Sequence, residues 1–176
     1  MRIEAEHTAA LVIDYQEKLV PVMAGKEQLL YHSEVLLQGL RVLGIPMILT
    51  QQYTKGLGMT VKEISEAAGT REYVEKISFS ACECVKEKIL DKKYVIICGI
   101  ETHICVLQTV IDLKAAGFVP VIVEDCVSSR KENDKKIALK RMRDEGALIT
   151  TYESLLFELL KEAGTEKSKK IQRLIK

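Results

Sequence analysis

The chain has 176 residues, of which 47% are hydrophobic and 29% charged, and 26 basic against 25 acidic residues leave a formal net charge of +1. This length and composition are typical of one globular domain that buries its own core. The near-neutral charge argues against a nucleic acid or an anionic membrane as partner, and no apolar run approaches the roughly 18 residues of a membrane span.

Short apolar runs alternate with helical patterns along the chain. In chain order, a strand is predicted at 9–13, a helix at 27–43, strands at 46–50, 73–77 (the weakest) and 94–98, a helix at 102–116, a strand at 119–123, a helix at 132–145 and a strand at 147–150. This alternation predicts a three-layer α/β/α fold, in which a six-stranded, mostly parallel sheet carries helices on both faces. We expect a single domain over 1–176, with a C-terminal helical tail at about 165–176 that packs on the domain or on a second subunit.

Local signals predict where the helices begin and end. Four Ser/Thr residues are followed three positions later by Glu, a pattern that predicts a helix start. Four glycines stand where the left-handed residue after a helix is expected. The capping pairs are Thr60 with Glu63, Ser80 with Glu83, Ser129 with Glu132 and Thr150 with Glu153, and the glycines are Gly44, Gly117, Gly146 and Gly164.

Three polar side chains follow predicted strands, at the edge where parallel α/β sheets bind ligands. Asp14 follows the first strand, Lys76 ends the weak strand, and Cys105 comes shortly after the strand at 94–98. With Thr102 as the N-cap, Cys105 falls in the first helical turn, where free N–H groups and the helix dipole favour a thiolate or a bound oxyanion. Alternatively, Asp14 is a helix cap, Lys76 a solvated lysine and Cys105 a small core residue.

At these positions the chain resembles the isochorismatase-like cysteine hydrolases, and it is nearest to the branch called isochorismatase domain-containing proteins. The resemblance implies that Cys105 is the nucleophile, Asp14 the general base and Lys76 the cation that steadies both. It also implies a cis peptide between Ile100 and Glu101, which would aim the Glu101 N–H, with the Cys105 N–H, into an oxyanion hole. The matching segments are 11–16, 51–58, 76–80, 99–106 and 125–130.

The implied reaction is hydrolysis of a C–N bond in a small amide, carbamoyl or related substrate through a thioester on Cys105. A cysteine at this position argues against isochorismate cleavage, because vinyl-ether hydrolysis needs no acyl intermediate. Segment 51–56 has no histidine, which argues against a metal-dependent nicotinamidase, so we expect neither a metal nor a cofactor. Asp14→Asn and Lys76→Ala are each expected to abolish turnover with little change in fold.

The residues around this triad are harder to assign. Gln16, Tyr53 and Phe79 are substrate-pocket candidates by position, although loop packing explains them almost as well. His103 lies two residues before Cys105, and since positions i and i+2 of a helix do not face each other, we expect it to have a supporting or surface position.

Other functions and the setting of the protein also follow from the sequence. The alternatives are a non-catalytic ligand-binding or scaffold protein, a nicotinamidase-like amidase without the metal site, and a redox protein that pairs Cys105 with Cys98 or Cys126.

Acidic residues near the start of the chain and five cysteines predict a cytoplasmic protein with free thiols. We expect a homo-oligomer that acts on a small molecule and has neither a nucleic acid nor a membrane as partner.

Overall fold

Six parallel strands form one sheet in the computed structural model, which describes residues 1–176. Their order across the sheet is β3-β2-β1-β4-β5-β6, so the chain runs outward from β1 to one edge and then returns to build the other half. The three-layer prediction is confirmed, and the weak run at 73–77 contains the short edge strand β3. The strands are β1 (Thr8–Ile13), β2 (Met47–Gln52), β3 (Val74–Lys76), β4 (Tyr94–Ile100), β5 (Val119–Ser128) and β6 (Leu148–Thr150).

Helices cover both faces of this sheet. They are α1 (Lys26–Leu43), α2 (Thr54–Leu57), α3 (Lys62–Ala68), α4 (Cys82–Val85), α5 (Leu107–Ala115), α6 (Glu132–Asp144), α7 (Tyr152–Leu160) and α8 (Glu166–Ile175). One face packs against α1, α3, α7 and α8, and the other against α4, α5 and α6. No helix is both long enough and apolar enough to cross a bilayer.

The central strand β1 shows why the protein has two cores. All six of its residues are buried, as expected for a strand with helices on both sides. Because successive side chains point to opposite faces, Ala10 and Val12 join the core under α1, whereas Leu11 and Ile13 join the core under α5. The C-terminal tail belongs to the first core, since Ile171 of α8 is fully buried there.

The predicted helix boundaries need correction. None of the four predicted capping residues is an N-cap, and the one helix of these four with a side-chain cap is α7, capped by Thr151 rather than Thr150. Two of these hydroxyl groups instead form hydrogen bonds with side chains outside the helix. Thr60 donates its hydroxyl proton to Gln51, and the Ser129 hydroxyl contacts His103. Gly44, Gly117 and Gly146 follow their helices with positive φ, but Lys161, at φ 66°, takes the place predicted for Gly164 after α7.

Candidate active site

A buried ion pair lies at the carboxyl-terminal edge of the sheet. Lys76, the last residue of β3, reaches across β2 so that its Nζ lies 2.7 Å from Oδ2 of Asp14, which directly follows β1. The two side chains are 1% and 0% exposed. From β2, Thr50 donates its hydroxyl proton to the other carboxylate oxygen of Asp14, at 2.8 Å. Buried charges persist only when they are paired and hydrogen-bonded, and both conditions are met here.

The ammonium group of Lys76 is fully engaged. Besides Asp14, it donates to Oε1 of Gln52 at 2.7 Å and to the carbonyl oxygen of Phe79 at 2.9 Å, with a longer contact of 3.3 Å to the carbonyl oxygen of Ser78. An ammonium has three N–H donors, so none remains free for a substrate. Lys76 can therefore act through its charge and by holding Asp14 in place, but not as a hydrogen-bond donor to a ligand.

Cys105 lies beside this pair, in a π-helical turn (Thr102–Val106) that joins β4 to α5. Cys105 is 6% exposed, and its thiol is close enough to Asp14 and Lys76 for the charges of both to act on it. Burial raises the pKa of the Cys105 thiol to about 12, the Asp14 carboxylate also raises it, and the Lys76 ammonium opposes both. The net shift is upward, against the lowered pKa expected from the sequence, because burial and the Asp14 carboxylate outweigh the Lys76 ammonium. The resting group is a thiol with a proton acceptor beside it.

The turn that carries Cys105 also differs from the predicted helix start. Thr102 is not an N-cap, because it is the first residue of the π-helical turn and its buried hydroxyl has no hydrogen-bond partner. The turn is held to α5 by Thr109, whose hydroxyl donates to the carbonyl oxygen of Cys105 at 2.7 Å. The same Thr109 oxygen accepts the N–H of Ala81, so it also fixes the segment that follows Lys76.

Glu101 contributes to the site with both its backbone and its side chain. The peptide bond between Ile100 and Glu101 is cis, and the Glu101 N–H donates no backbone hydrogen bond. The buried carboxylate of Glu101 accepts the backbone N–H of Arg130 at 3.0 Å and the Nε–H of the same residue at 3.1 Å. This side chain, to which the sequence analysis assigned no role, thus connects the Cys105 turn to the loop after β5.

His103 also connects the Cys105 turn to neighbouring elements. Its Nδ1 lies 2.9 Å from the Ser129 hydroxyl, and its Nε2 lies 3.9 Å from a carboxylate oxygen of Asp134 on α6. These contacts connect the turn to α6, in keeping with the supporting position expected for His103.

The three predicted pocket residues separate into two kinds. Gln16 is fully buried, and its side-chain amide is used within the protein, where it bonds to the backbone of Gln52 and Gly58. It is therefore a structural residue, and the structure does not bring it to a free surface. Tyr53 and Phe79 are each 52% exposed and border the ion pair, since the Tyr53 N–H donates to the Lys76 carbonyl oxygen and the Phe79 carbonyl oxygen accepts from Nζ.

Gln52 is the contact residue of Lys76 that the sequence did not reveal. The only signal was its place in segment 51–56, directly after a strand that leads to the site.

A cavity of about 280 Å³ lies elsewhere, between α1, β5 and α6, and contains none of the predicted catalytic residues.

Two of the other thiols lie on the far side of the sheet from this site. Cys98 and Cys126 are buried in the core under α1, on the opposite face of the sheet from Cys105. A disulfide between Cys105 and either of them is therefore excluded in this fold, and the hypothesis of that redox pair is wrong. All five cysteines are free.

A family model and two curated relatives identify the family of this chain. The sequence model of the family described as isochorismatase domain matches residues 8–154. The chain is 38% identical to isochorismatase domain-containing protein 2A of Mus musculus, over 99% of this chain and 85% of that protein. It is also 38% identical to isochorismatase domain-containing protein 1 of Salmo salar, over 96% of this chain but only 61% of the length of that relative. A solved structure named MAR1 ribonuclease, from Caenorhabditis elegans, is 36% identical and superimposes with a TM-score of 0.94, over 99% of this chain and 92% of the other.

Proposed function

This chain belongs to the isochorismatase family, and from that premise we propose that it is a cysteine hydrolase for the C–N bond of a small amide, carbamoyl or related substrate. One observation carries the proposal: a buried thiol lies beside a buried carboxylate and a buried ammonium that form an ion pair, where β1, β3 and β4 end. Acyl transfer through a thiol needs a nucleophile, a base that removes its proton and a group that orients the base. Cys105, Asp14 and Lys76 supply the three.

In the proposed reaction, proton transfer and attack are coupled, because the Cys105 thiol holds its proton in the resting site. Asp14 accepts that proton as the sulfur forms a bond to the substrate carbonyl carbon, and the carbonyl π electrons move onto the oxygen. The N–H groups of Glu101 and Cys105 donate to this oxyanion. When it collapses, the C–N bond breaks, and the proton on Asp14 passes to the leaving ammonia or amine.

The second half of the cycle returns the enzyme. A water molecule gives its proton to Asp14 while its oxygen attacks the thioester carbon. The C–S bond then breaks, and the sulfur leaves with the proton that Asp14 holds, which restores the thiol and the carboxylate. Throughout, the ion pair of 2.7 Å with Lys76 holds the Asp14 carboxylate in place.

Isochorismate cleavage is not proposed, because the thiol beside Asp14 serves an acyl intermediate that vinyl-ether hydrolysis does not use. A scaffold without catalysis leaves the costly buried ion pair unexplained, since apolar residues of similar volume often serve stability as well or better. A nicotinamidase-like amidase without a metal falls within the proposed class, and the substrate screen described next distinguishes it.

The test is covalent trapping. The reduced protein is incubated with a panel of primary amides, ureas, N-carbamoyl compounds and nicotinamide, and intact mass and released ammonia are recorded. We expect at least one compound to add its acyl mass to the wild type and to Cys98→Ala, but not to Cys105→Ala. Folded wild-type protein that neither forms an adduct nor releases ammonia with any compound, or an adduct that persists in Cys105→Ala, would contradict the proposal.

A ribonuclease is the second candidate, favoured by the name of the Caenorhabditis elegans structure and its 36% identity. The site supports it less well, because phosphodiester cleavage needs cationic groups that face the phosphate and the N–H donors of Lys76 are all engaged. Incubation of labelled single-stranded RNA with wild type and Asp14→Asn distinguishes the candidates. Cleavage by the wild type alone would support the ribonuclease and displace the amidase.

We also propose a homo-oligomer in the cytoplasm. Tyr53, Phe79 and Ile77 leave large apolar side chains exposed beside the site, with Ile77 71% exposed, and apolar surface of this kind is typical of a protein interface. Five free cysteines favour a reducing compartment. Sedimentation velocity would show a mass above that of one chain, and cell fractionation would place the protein with soluble cytoplasmic markers.

A further inference from the structure

The side chain of Gln52 binds the ammonium of Lys76. The two residues are partners in the parallel register of β2 and β3. The side-chain oxygen of Gln52 accepts from Nζ at 2.7 Å, while its NH₂ group donates to the carbonyl oxygen of Ile77 at 2.6 Å. This second bond fixes which end of the amide faces the lysine, because a flipped amide would bring two donors together and two acceptors together.

The backbone of Gln52 is itself fixed by a buried side chain. Gln16 accepts the Gln52 N–H at 2.7 Å and donates to the Gln52 carbonyl oxygen at 2.9 Å. Its NH₂ group also donates to the carbonyl oxygen of Gly58 at 2.8 Å. Gln16 is fully buried, so its hydrogen bonds to Gln52 are protected from water. The chain of contacts from Gln16 through Gln52 to Lys76 thus sets where the ammonium lies.

The neutrality of Gln52 matters as much as its position. Of the three closest acceptors around Nζ, only Asp14 carries a charge, while Gln52 and the Phe79 carbonyl are neutral. The positive charge therefore acts on the carboxylate of Asp14 and on the thiols of Cys105 and Cys84. A carboxylate at position 52 would compete for the same ammonium, whereas an apolar side chain would release one N–H donor.

We propose that Gln52 is a positioning residue: as a neutral acceptor it aims the Lys76 ammonium at Asp14 and Cys105 and thereby sets the acidity of the Cys105 thiol. For its consequence in catalysis the inference rests on the proposed function, but for the acidity of the thiol it does not. It can therefore be tested without a substrate.

The test follows alkylation of Cys105 by iodoacetamide as a function of pH, with the modified peptide identified by mass so that the other cysteines do not interfere. The variants are Gln52→Glu, Gln52→Met and, as a matched control, Gln172→Glu, which adds the same charge to exposed helix α8. At fixed pH below the thiol pKa, we expect Gln52→Glu to slow alkylation about tenfold, since a nearby charge of the same sign as the thiolate raises a thiol pKa by roughly a unit or more. We expect Gln52→Met to slow it by a factor of about three or more, because the Lys76 ammonium loses one of the bonds that aim it at the thiol. Gln172→Glu should match the wild type.

A purely structural role for Gln52 would lower the melting temperature and leave the pH profile of alkylation in place, and that result would overturn the proposal. If Gln52→Glu does not fold, Gln52→Met, which adds no charge and has a similar size, decides the question alone. The two proposals can fail separately. A shifted alkylation profile without any acyl adduct would reject the hydrolase and keep the positioning role, whereas an adduct with an unchanged profile would do the reverse.

Discussion

Two buried thiols, one on each face of the sheet, have similar acidity and different surroundings. Burial raises the pKa of both Cys98 and Cys105 to about 12. Cys105 has the carboxylate of Asp14 and the ammonium of Lys76 within reach. Cys98 lies in the core under α1, where its thiol donates to the carbonyl oxygen of Leu11 at 3.7 Å and has the Tyr15 hydroxyl as its polar side-chain neighbour.

The difference teaches that burial alone does not make a thiol a nucleophile. Tyr15 cannot serve Cys98 as a base, because burial raises the pKa of its phenol, which therefore keeps its own proton at neutral pH. Its oxygen is also fixed by bonds to Ser33, at 2.6 Å, and to the carbonyl oxygen of Cys126, at 2.7 Å. An ionised carboxylate beside the sulfur is what separates Cys105 from Cys98, and four predictions test that distinction.

Removing the carboxylate should have the largest effect. With any substrate found by the trapping experiment, we expect Asp14→Asn to reduce turnover by about 10²- to 10⁴-fold, the usual contribution of a general base. Alkylation of Cys105 at fixed pH should nevertheless become faster, because Asp14 raises the pKa of this thiol and only burial then opposes the Lys76 ammonium. Turnover measured beside alkylation separates loss of the base from loss of the fold.

The same variant leaves a buried ammonium without its counter-ion, which typically costs about 3–5 kcal/mol of unfolding free energy. The expectation of little change in fold is therefore replaced by a large loss of stability, measurable by urea unfolding. Slower alkylation in a folded Asp14→Asn protein would show that the carboxylate does not act on Cys105.

Removing the ammonium should change the alkylation rate in the opposite direction. In Lys76→Met the buried carboxylate keeps only the Thr50 hydroxyl, so we again expect a loss of about 3–5 kcal/mol of unfolding free energy. The Cys105 pKa should rise further, and alkylation at fixed pH should slow, since Lys76 is the group that lowers it. Lys167→Met, at an exposed position of α8, is the matched control. Faster alkylation in Lys76→Met would contradict the opposite effects on the Cys105 pKa that are assigned to Asp14 and Lys76.

The second face of the sheet offers a variant that should affect stability alone. Tyr15→Phe leaves the Ser33 hydroxyl and the Cys126 carbonyl oxygen without this partner, and a buried group left unsatisfied costs about 1–3 kcal/mol. Alkylation of Cys105 should stay at the wild-type rate, because the sheet separates the two sites. A change in that rate would mean that the two faces are coupled and that Cys98 and Cys105 do not form independent environments.

The same contrast shows what the sequence could and could not predict. The six strands and the convergence of Asp14, Lys76 and Cys105 were predictable, because strand patterns are local and the ends of parallel strands meet at one edge. The capping residues were not, since Thr60 and Ser129 form hydrogen bonds with distant side chains that no local pattern contains.

The contacts of Gln52 with Lys76 and of Glu101 with Arg130 depend on the order of strands and the path of loops, so position alone could not assign them. The acidity of Cys105 was predicted with the wrong sign for a related reason. A helix start can be read from sequence, whereas the burial that outweighs it is a property of the whole fold.

The last prediction concerns the raised pKa that the two thiols share. Both pKa values are raised from 9.0 to about 12 in the folded protein, so the folded state keeps these protons at a pH where the unfolded chain releases them. Their contribution to stability is complete below about pH 9 and is lost progressively between about pH 9 and 12, by roughly 1.4 kcal/mol per pH unit for each thiol. Urea unfolding at several pH values above about 8 should therefore show a shallower fall for Cys98→Ala and for Cys105→Ala than for the wild type, and a similar one for both. The two variants should differ only in acyl-adduct formation, which Cys98→Ala retains. If the slope of unfolding free energy against pH changed in one variant and not in the other, burial would not raise the two pKa values alike. Cys98 and Cys105 would then differ in the acidity of their thiols, and not only in the carboxylate beside Cys105.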